Sequence, residues 1–283
     1  VRIYLTNALE KPENQPKLVG ILPALAHEAE AVNAVKAQKR FTVLLGNPPY
    51  SVSSSNNSEY INELMTTYKK AVRSERNIQP LSDDYVKFIR FAHNSIEYAN
   101  WGILGMITNH AYLSGLIHRG MREELLNSFS QIYVSDLHGN ATIGEITPDG
   151  DQDQNIFDIR QGVSILFLVK NVQFNGKGTV YHSELWGRRE AKYKVLRDGK
   201  LSSYPWFMLF PSLPNCFFVP KDFDLREEYE QGCSIDITSP FSSGGIKTHR
   251  DHFVIGFNKP ELEERLIKAT DTTISDDKLK KGF

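Results

Sequence analysis

Apolar positions along this chain fall into two recurring patterns, short unbroken runs and stripes at helical spacing, and their alternation predicts strands interleaved with helices. Arg2 to Thr6 reads as a strand. Leu22 to Gln38, rich in Ala and Glu, predicts a helix that starts near Pro23. Phe41 to Leu45 is the next strand, and Val43-Leu44-Leu45-Gly46 has the character of a strand buried on both faces. Ser82-Asp83-Asp84 is an N-cap signal, after which Tyr85, Phe88, Ile89, Ala92 and Ile96 repeat at helical spacing. Ile103 to Thr108 predicts a strand, Leu116 to Phe129 a helix with Met121, Leu125 and Phe129 on one face, and Ile132 to Leu137 a further strand. A loop rich in Gly, Asp, Asn and Gln over His138 to Asn155 precedes the buried strand Val163 to Val169, expected in a hairpin at the sheet edge.

This succession predicts an α/β fold on an open, doubly wound sheet. Beyond about Asn171 the composition shifts. Pro205, Pro211, Pro214 and Pro220, interleaved with aromatics, argue against long regular elements there. Phe223 to Gly232 predicts a short helix, Phe253 to Phe257 a strand, and Pro260 to Ala269 a helix with Pro near its first turn. The expected division is residues 1–172 as one domain and 173–283 as a linker leading into a second region.

Composition narrows the picture little. Lys and Arg number 33 against 34 Asp and Glu, so charge alone names no nucleic-acid partner. Two cysteines, Cys216 and Cys233, are too few for a disulfide framework and lack metal-ligand spacing, which points to a reduced, cytoplasmic compartment. No apolar run approaches the roughly 20 residues that span a bilayer, so no membrane partner is expected. The chain opens on Val-Arg-Ile-Tyr-Leu, without an initiator Met and within a strand-like pattern, and reads as a piece of a longer protein.

The chemistry concentrates in Asn47-Pro48-Pro49-Tyr50, delivered directly from the Val43–Gly46 run. Asn47 offers a side-chain carbonyl acceptor, Pro48 a backbone carbonyl whose position is fixed by its ring, and Tyr50 an aromatic face. That set can grip a flat ring bearing an exocyclic amino group. Open α/β sheets place ligands just beyond the carboxyl ends of their strands, where this motif falls. A chain of this length shows the tetrapeptide by accident roughly once in a thousand times. The competing reading is a turn in which Pro-Pro ends a strand and Tyr covers a core edge.

Asn-Pro-Pro-Tyr after a short apolar strand resembles the catalytic motif of the gamma-arranged adenine-N6 DNA methyltransferases. A cytosine-C5 enzyme uses a Pro-Cys pair, which is absent. Ile3 to Glu10, Gly102 to Leu113 and Gln154 to Ile165 extend the likeness to the methyltransferase part of type ISP and type IIG-like single-chain restriction-modification enzymes. Type ISP proteins join nuclease, helicase-like, methyltransferase and target-recognition parts. The resemblance implies a Rossmann-like sheet in residues 1–172, the start of a DNA target-recognition region in 173–283, S-adenosylmethionine as methyl donor and double-stranded DNA as substrate. It implies Asn47, Pro48, Pro49 and Tyr50 as the catalytic set, Tyr50 and Phe157 as contacts to a flipped base, and Asn7 as a contact to the donor. His249-Arg250-Asp251 after Ser242-Ser243-Gly244-Gly245 also matches the family, without a derivable role.

The sequence departs from the family in one respect. The Phe-x-Gly-x-Gly turn that shapes the donor site is absent, so the chain by itself is expected to bind the donor weakly or not at all. The Ser- and Asn-rich stretch Ser51 to Ser58 is expected to be a mobile loop beside the site. Asn109 and His110 are expected to cap the helix that follows them rather than to act directly. Two other functional classes remain: a protein-glutamine N5 methyltransferase, which uses the same tetrapeptide, and a non-catalytic DNA-binding or assembly module.

Overall fold

The computed structural model describes residues 3–11, 23–38, 40–51, 53–239, 241, 251–271 and 273–274. Arg2, Leu22 and the 242–250 stretch holding His249 and Arg250 lie outside them. Six strands form one sheet: β1 (Val43–Gly46), β2 (Gly102–Asn109), β3 (Gln131–Asp136), β4 (Val163–Lys170), β5 (Thr179–Glu184) and β6 (Phe207–Leu209), in the spatial order β1-β2-β4-β3-β5-β6. β1 runs parallel to β2, β3 parallel to β5, and β4 antiparallel to both β2 and β3. Consequently β1, β2, β3 and β5 all end on the same rim, and β4 begins there.

Side-chain alternation gives the sheet two unlike faces. Leu44, Leu104, Leu168, Ile132, Val180 and Leu209 stand in register across all six strands. This row packs under a helical layer made of α2 (Glu59–Lys69), α3 (Asp84–Ala99) and α4 (Arg119–Ser128), whose Ile61, Met65, Tyr68, Ile89, Ile96, Met121, Leu125 and Phe129 are fully buried. Each such side chain stabilises the fold by about 1.5–3 kcal/mol. The next pleat brings Leu45, Gly105, Phe167, Tyr133, Tyr181 and Met208 into line on the opposite face. There Tyr133 and Tyr181 stack at 4.7 Å, while Leu45 remains 76% exposed. Gly105 lets this row close, because a Cβ would meet Leu45 Cδ2 at 2.8 Å and Phe167 at 3.0 Å.

α1 (Pro23–Gln38), β1, α3, β2 and β3 fall where the apolar pattern puts them, but β1 is an edge strand with Val43 and Leu45 exposed and is not buried on both faces, because no strand covers its outer side among the described residues. Leu116 to Phe129 splits into a 3-10 turn at Leu116–His118 followed by α4. Four further expectations need correction. Ile3 to Thr6 carries no strand. β4 lies in the middle of the sheet, not at its edge, with a ladder on each side. Beyond Asn171 regular structure continues through β5, α5 (Arg189–Asp198) and β6, because the breaking prolines start only at Pro205 and leave that stretch free to pair and coil. The compact unit accordingly extends to Lys221, past the expected boundary at 172. The fourth concerns Phe253 to Phe257. Asp251–Val254 is a helical turn, closed by an Ile255 N–H to Asp251 carbonyl bond of 2.8 Å. α2 was absent from the pattern-based expectation; it opens with Ser58 accepting from the Ile61 N–H.

The unit from Asp222 onward is described on its own. It comprises α6 (Arg226–Glu230), α7 (Ile235–Thr238), α8 (Asp251–Val254) and α9 (Lys259–Thr270), the last capped by Asn258, whose side chain accepts from Glu261 N. Leu225, Tyr229, Ile235, Ile237 and Phe257 are exposed on it. Among the described residues, no helix is long and apolar enough to cross a membrane.

Behind the sheet, Arg122 of α4 is wholly buried and donates to the backbone carbonyls of Tyr112, Gly115, Asn215 and Cys216 at 2.5–3.0 Å. Burial pushes it down to about 10, so it remains charged at neutral pH. Beside it His118 is held down to about 4 by burial and by the Arg122 charge, with Nε2 3.4 Å from the Tyr85 hydroxyl and Nδ1 unpartnered. The folded protein therefore resists a proton that the unfolded chain accepts near pH 6.5. Stability from this group is complete above about pH 6.5 and is lost as the pH falls toward 4, by about 3 kcal/mol. Urea unfolding should show a lower midpoint at pH 4.5 than at pH 7, and His118→Gln should flatten that slope.

Candidate functional site

β1 ends at Gly46 and delivers Asn47-Pro48-Pro49-Tyr50 onto the rim, with Pro48 buried, Asn47 and Pro49 exposed and Tyr50 half-buried. The exit from the motif is fixed as firmly as the entry. Ser51 N–H donates to Asp83 Oδ1 at 2.7 Å, and Asp84 N–H donates to the Ser51 carbonyl at 3.2 Å, so the N-terminus of α3 grips the residue after Tyr50 from both sides. Burial raises the Asp83 carboxyl above its ordinary value, opposed by backbone hydrogen bonds including that of Ser51. The Tyr50 ring meets Tyr85 edge-on at 6.0 Å. Burial, aided by the Asp83 charge, pushes its phenol up to about 12, and its buried hydroxyl has no partner among the described residues. Tyr50 is thus a neutral aromatic with an unused polar tip.

The Ser- and Asn-rich stretch after the motif is pinned, contrary to the expectation of a mobile loop. Asp84 accepts from Ser54 Oγ at 2.5 Å and from Asn56 Nδ2 at 2.9 Å. Lys87, 1% exposed, donates to Ser54 Oγ, to the Asn56 carbonyl and to Asn57 Oδ1. Burial lowers the Lys87 ammonium. Once such a cation leaves water, hydrogen bonds of this kind are what hold it. The same stretch carries the N-terminal segment: Asn7 Nδ2 donates to Asn56 Oδ1 at 3.2 Å, and Ser58 Oγ donates to the Leu9 carbonyl at 2.7 Å. Asn7 Oδ1 accepts from Leu9 N–H at 3.0 Å, so its amide serves local bonds in this structure.

Further along the rim stands the loop between β3 and β4, which bears Phe157. Buried Asn155 organises it, accepting from Phe157 N–H at 2.8 Å and donating to the carbonyls of Gly139 and Gln161. Two cations of α5 clamp the loop from outside. Arg189 donates to the Asn155 and Phe157 carbonyls and pairs with Asp158 at 2.7 Å. Lys192, fully buried, pairs with Asp153 at 2.6 Å and donates to the carbonyls of Leu137 and Gln154. Phe157 is half-buried and packs on the small cluster Leu137, Ile156 and Val163. Tyr50 packs on the same cluster. The structure thereby brings Asn47, Pro48, Pro49, Tyr50 and Phe157 to one rim, while the Asn7 side chain sits apart, bonded to Asn56 in the stretch that follows the motif. Phe157 also borders an open cleft of ≈ 490 Å³ with Arg160 and Arg189, which no motif residue lines.

Between these two sides the ends of β2 and β3 carry a polar cluster. Asn109 caps as expected, its Oδ1 accepting from Ala111 N–H at 2.8 Å. His110 instead turns to Asp136, with Nδ1 3.1 Å from Oδ1. Burial works to raise the Asp136 carboxyl, but the His110 hydrogen bond and the charges on His110 and His138 carry it below its ordinary value. His138 follows with Nδ1 2.8 Å from Glu145 Oε1 and its ring stacked on Trp186.

Sequence reasoning missed Asp83, Lys87, Arg189, Lys192, Asp136 and His138. Asp83 was visible as a cap signal, but its side chain makes no cap bond and reaches back to Ser51 instead. The lysines and arginine gave no signal, since a single cation on a helix ordinarily reads as a solvated one.

Residues 7–143 match the Eco57I restriction-modification methylase family. Comparison with curated protein sequences gives no significant match. Among solved structures, the ATP-dependent Type ISP restriction-modification enzyme LlaBIII bound to DNA is similar at 25% identity and a TM-score of 0.69, over 95% of this chain and 18% of that one. A nuclease-deletion mutant of the Type ISP enzyme LlaGI with a DNA substrate mimic shares the fold at 23% identity and a TM-score of 0.59, over 72% of this chain and 20% of that one. The DrdV–DNA complex does so at 21% and 0.65, over 86% of this chain and 25% of that one. The chain thus spans between 18% and 25% of the length of these relatives.

Breaking the Lys192–Asp153 pair leaves a carboxylate buried without its cation. Lys192→Met should therefore destabilise the protein by about 3–5 kcal/mol in urea unfolding, with the loop around Phe157 becoming the first site of proteolytic cleavage.

Proposed function

We propose, from the match of residues 7–143 to the Eco57I restriction-modification methylase family, that the chain forms the amino-acceptor side of a DNA methyltransferase that modifies adenine at N6. The observation that carries this reading is the rim itself. Asn-Pro-Pro-Tyr leaves the parallel edge strand β1, and the Tyr50 ring shares one apolar cluster with Phe157.

An adenine amino nitrogen is a poor nucleophile because its lone pair is delocalised into the ring. Asn47 Oδ1 and the Pro48 carbonyl each accept a hydrogen bond from one N6–H, which favours a tetrahedral nitrogen with its lone pair directed away from the ring. The exposed Asn47 is free to turn toward the base, while buried Pro48 supplies the fixed reference point. Tyr50, neutral because burial holds its phenol at about 12, provides a stacking face that repels neither base nor phosphate. Phe157 provides a second contact. A base inside a duplex cannot reach this rim, so the target is flipped out, and stacking contributes about 1–3 kcal/mol. Arg189 and Lys192 keep the Phe157 loop in place for that contact.

S-adenosylmethionine, when bound, supplies the electrophilic methyl group. The described residues give it no cradle. The sequence has no Phe-x-Gly-x-Gly turn, the Asn7 amide is engaged with Leu9, Glu10 and Asn56, and β1 ends the sheet with Val43 and Leu45 exposed. The acceptor side is therefore argued from this chain, and the donor side is not.

The test is to incubate the chain, in its native polypeptide context, with unmethylated duplex DNA and methyl-labelled donor, then to digest to nucleosides. Label in N6-methyladenine is expected, and Asn47→Ala should lower kcat by about 10² or more. Label on cytosine or on a protein glutamine would sink the proposal.

A further inference from the structure

We infer that His110, Asp136 and His138, joined by Glu145, bind a single divalent transition-metal ion of the zinc class. The donors come from different parts of the fold: His110 leaves the end of β2, Asp136 closes β3, and His138 and Glu145 stand on the loop beyond it. One ligand atom from each of the first three lies within 4.8 Å of the other two. Four donors held 2.0–2.1 Å from one ion in a tetrahedron stand about 3.3–3.4 Å apart. The separations here straddle that figure: 3.1 Å from His110 Nδ1 to Asp136 Oδ1, 3.8 Å from His138 Nδ1 to Asp136 Oδ2, and 2.8 Å from His138 Nδ1 to Glu145 Oε1. Two imidazoles and the Asp136 carboxylate, with Glu145 held against His138 as a further oxygen donor beside them, form a donor set that suits zinc.

Charge supports the assignment independently. Asp136, Glu145 and Glu184 crowd around His138, and among the described residues their hydrogen-bond and ion-pair contacts are to histidines, backbone N–H groups and Trp186, with no Lys or Arg. Asp136 is buried, and a buried carboxylate without a side-chain cation beside it is the setting in which a divalent ion compensates most. The outer contacts also fit. His138 Nε2 is buried without a hydrogen bond and stands 3.8 Å from Glu184 Oε1, so an imidazole ligated through Nδ1 would present its remaining N–H to a carboxylate. His110 Nε2 faces the Asn140 amide at 3.2 Å. On binding, the Nδ1 lone pair goes to the metal, Nε2 carries the proton, and Asn140 exchanges its contact with Thr142 N–H to present its oxygen. The His110 ring is held in place, since any Cβ at Gly162 would lie 2.2 Å from it. Such an ion ties the ends of β2 and β3 to the loop that carries Phe157.

Trp186 supplies a reporter, because its indole stacks on the His138 ring with centroids 3.3 Å apart. The chelator-treated full chain is titrated with Zn²⁺ by calorimetry and with Ni²⁺ by tryptophan fluorescence. The expected result is one equivalent bound at micromolar affinity or tighter, with quenching by Ni²⁺ that Trp186→Phe largely removes while affinity is kept. His138→Gln and Asp136→Asn should weaken binding at least about tenfold, and Zn²⁺ should raise the Tm of the wild-type chain but not theirs. Should Asp136→Asn fail to fold, Glu145→Gln and the wild-type quench decide the matter. Absence of a one-to-one complex, or affinity and quenching unchanged in folded His138→Gln, overturns the inference.

Discussion

A backbone carbonyl taken out of water costs free energy unless a donor meets it, and loops that bend around the end of a sheet cannot supply each other with enough N–H groups. In this protein three desolvated cations make up the difference. Lys87, Arg122 and Lys192 rank among its largest fully buried side chains, and each donates to the backbone of a loop remote in sequence. Arg122 joins the turn after β2 to residues 215–216, Lys87 holds the stretch after the motif, and Lys192 holds the loop before β4. Replacing any of them with an apolar side chain of equal size would leave carbonyls unpaired, so these positions depend on the charge and reach of the side chain more than on its volume.

The same constraint explains why the rim is pinned by hydrogen bonds where a Ser- and Asn-rich stretch predicts a mobile loop. Tyr50 is fixed between β1 and the Asp83 grip on Ser51, and Phe157 is fixed by Asn155, Arg189 and Tyr193, whose hydroxyl donates to the Ile156 carbonyl at 2.5 Å. The two aromatic rings are set by elements separated by more than a hundred residues yet converge on Leu137, Ile156 and Val163. Preorganisation of this kind lowers the ordering cost of gripping a flat ring.

Much of the fold was legible in the sequence, and the reasons for success and failure are physical. β2, β3 and α3 announce themselves because burial imposes a period on their apolar residues, while β1 shows as a short apolar run and α1 as a stretch rich in Ala and Glu. α2 escaped notice because Ile61, Met65 and Tyr68 lie at helical spacing among polar neighbours, and its cap, Ser58, closes a run of serines and asparagines that resembles a loop. The place of β4 was misread for a different reason: an apolar run reveals that a strand is buried and says nothing about which strands flank it. At the site, the tetrapeptide stood out because rare residue types are adjacent in sequence. The cluster of His110, Asp136, His138 and Glu145 did not, since its members meet only when β2, β3 and the loop are assembled.

The insertion of β4 between β2 and β3 also orders events during synthesis. In a nascent chain that has emerged only as far as Asp136, β2 and β3 each present the edge that β4 covers in the folded sheet. Those edges stay open until residue 170 arrives, and they form the kind of template that recruits strands from other chains. The ribosome therefore has to deliver the whole of the Phe157 loop before the sheet can close, which makes completion of the sheet and completion of the rim a single step.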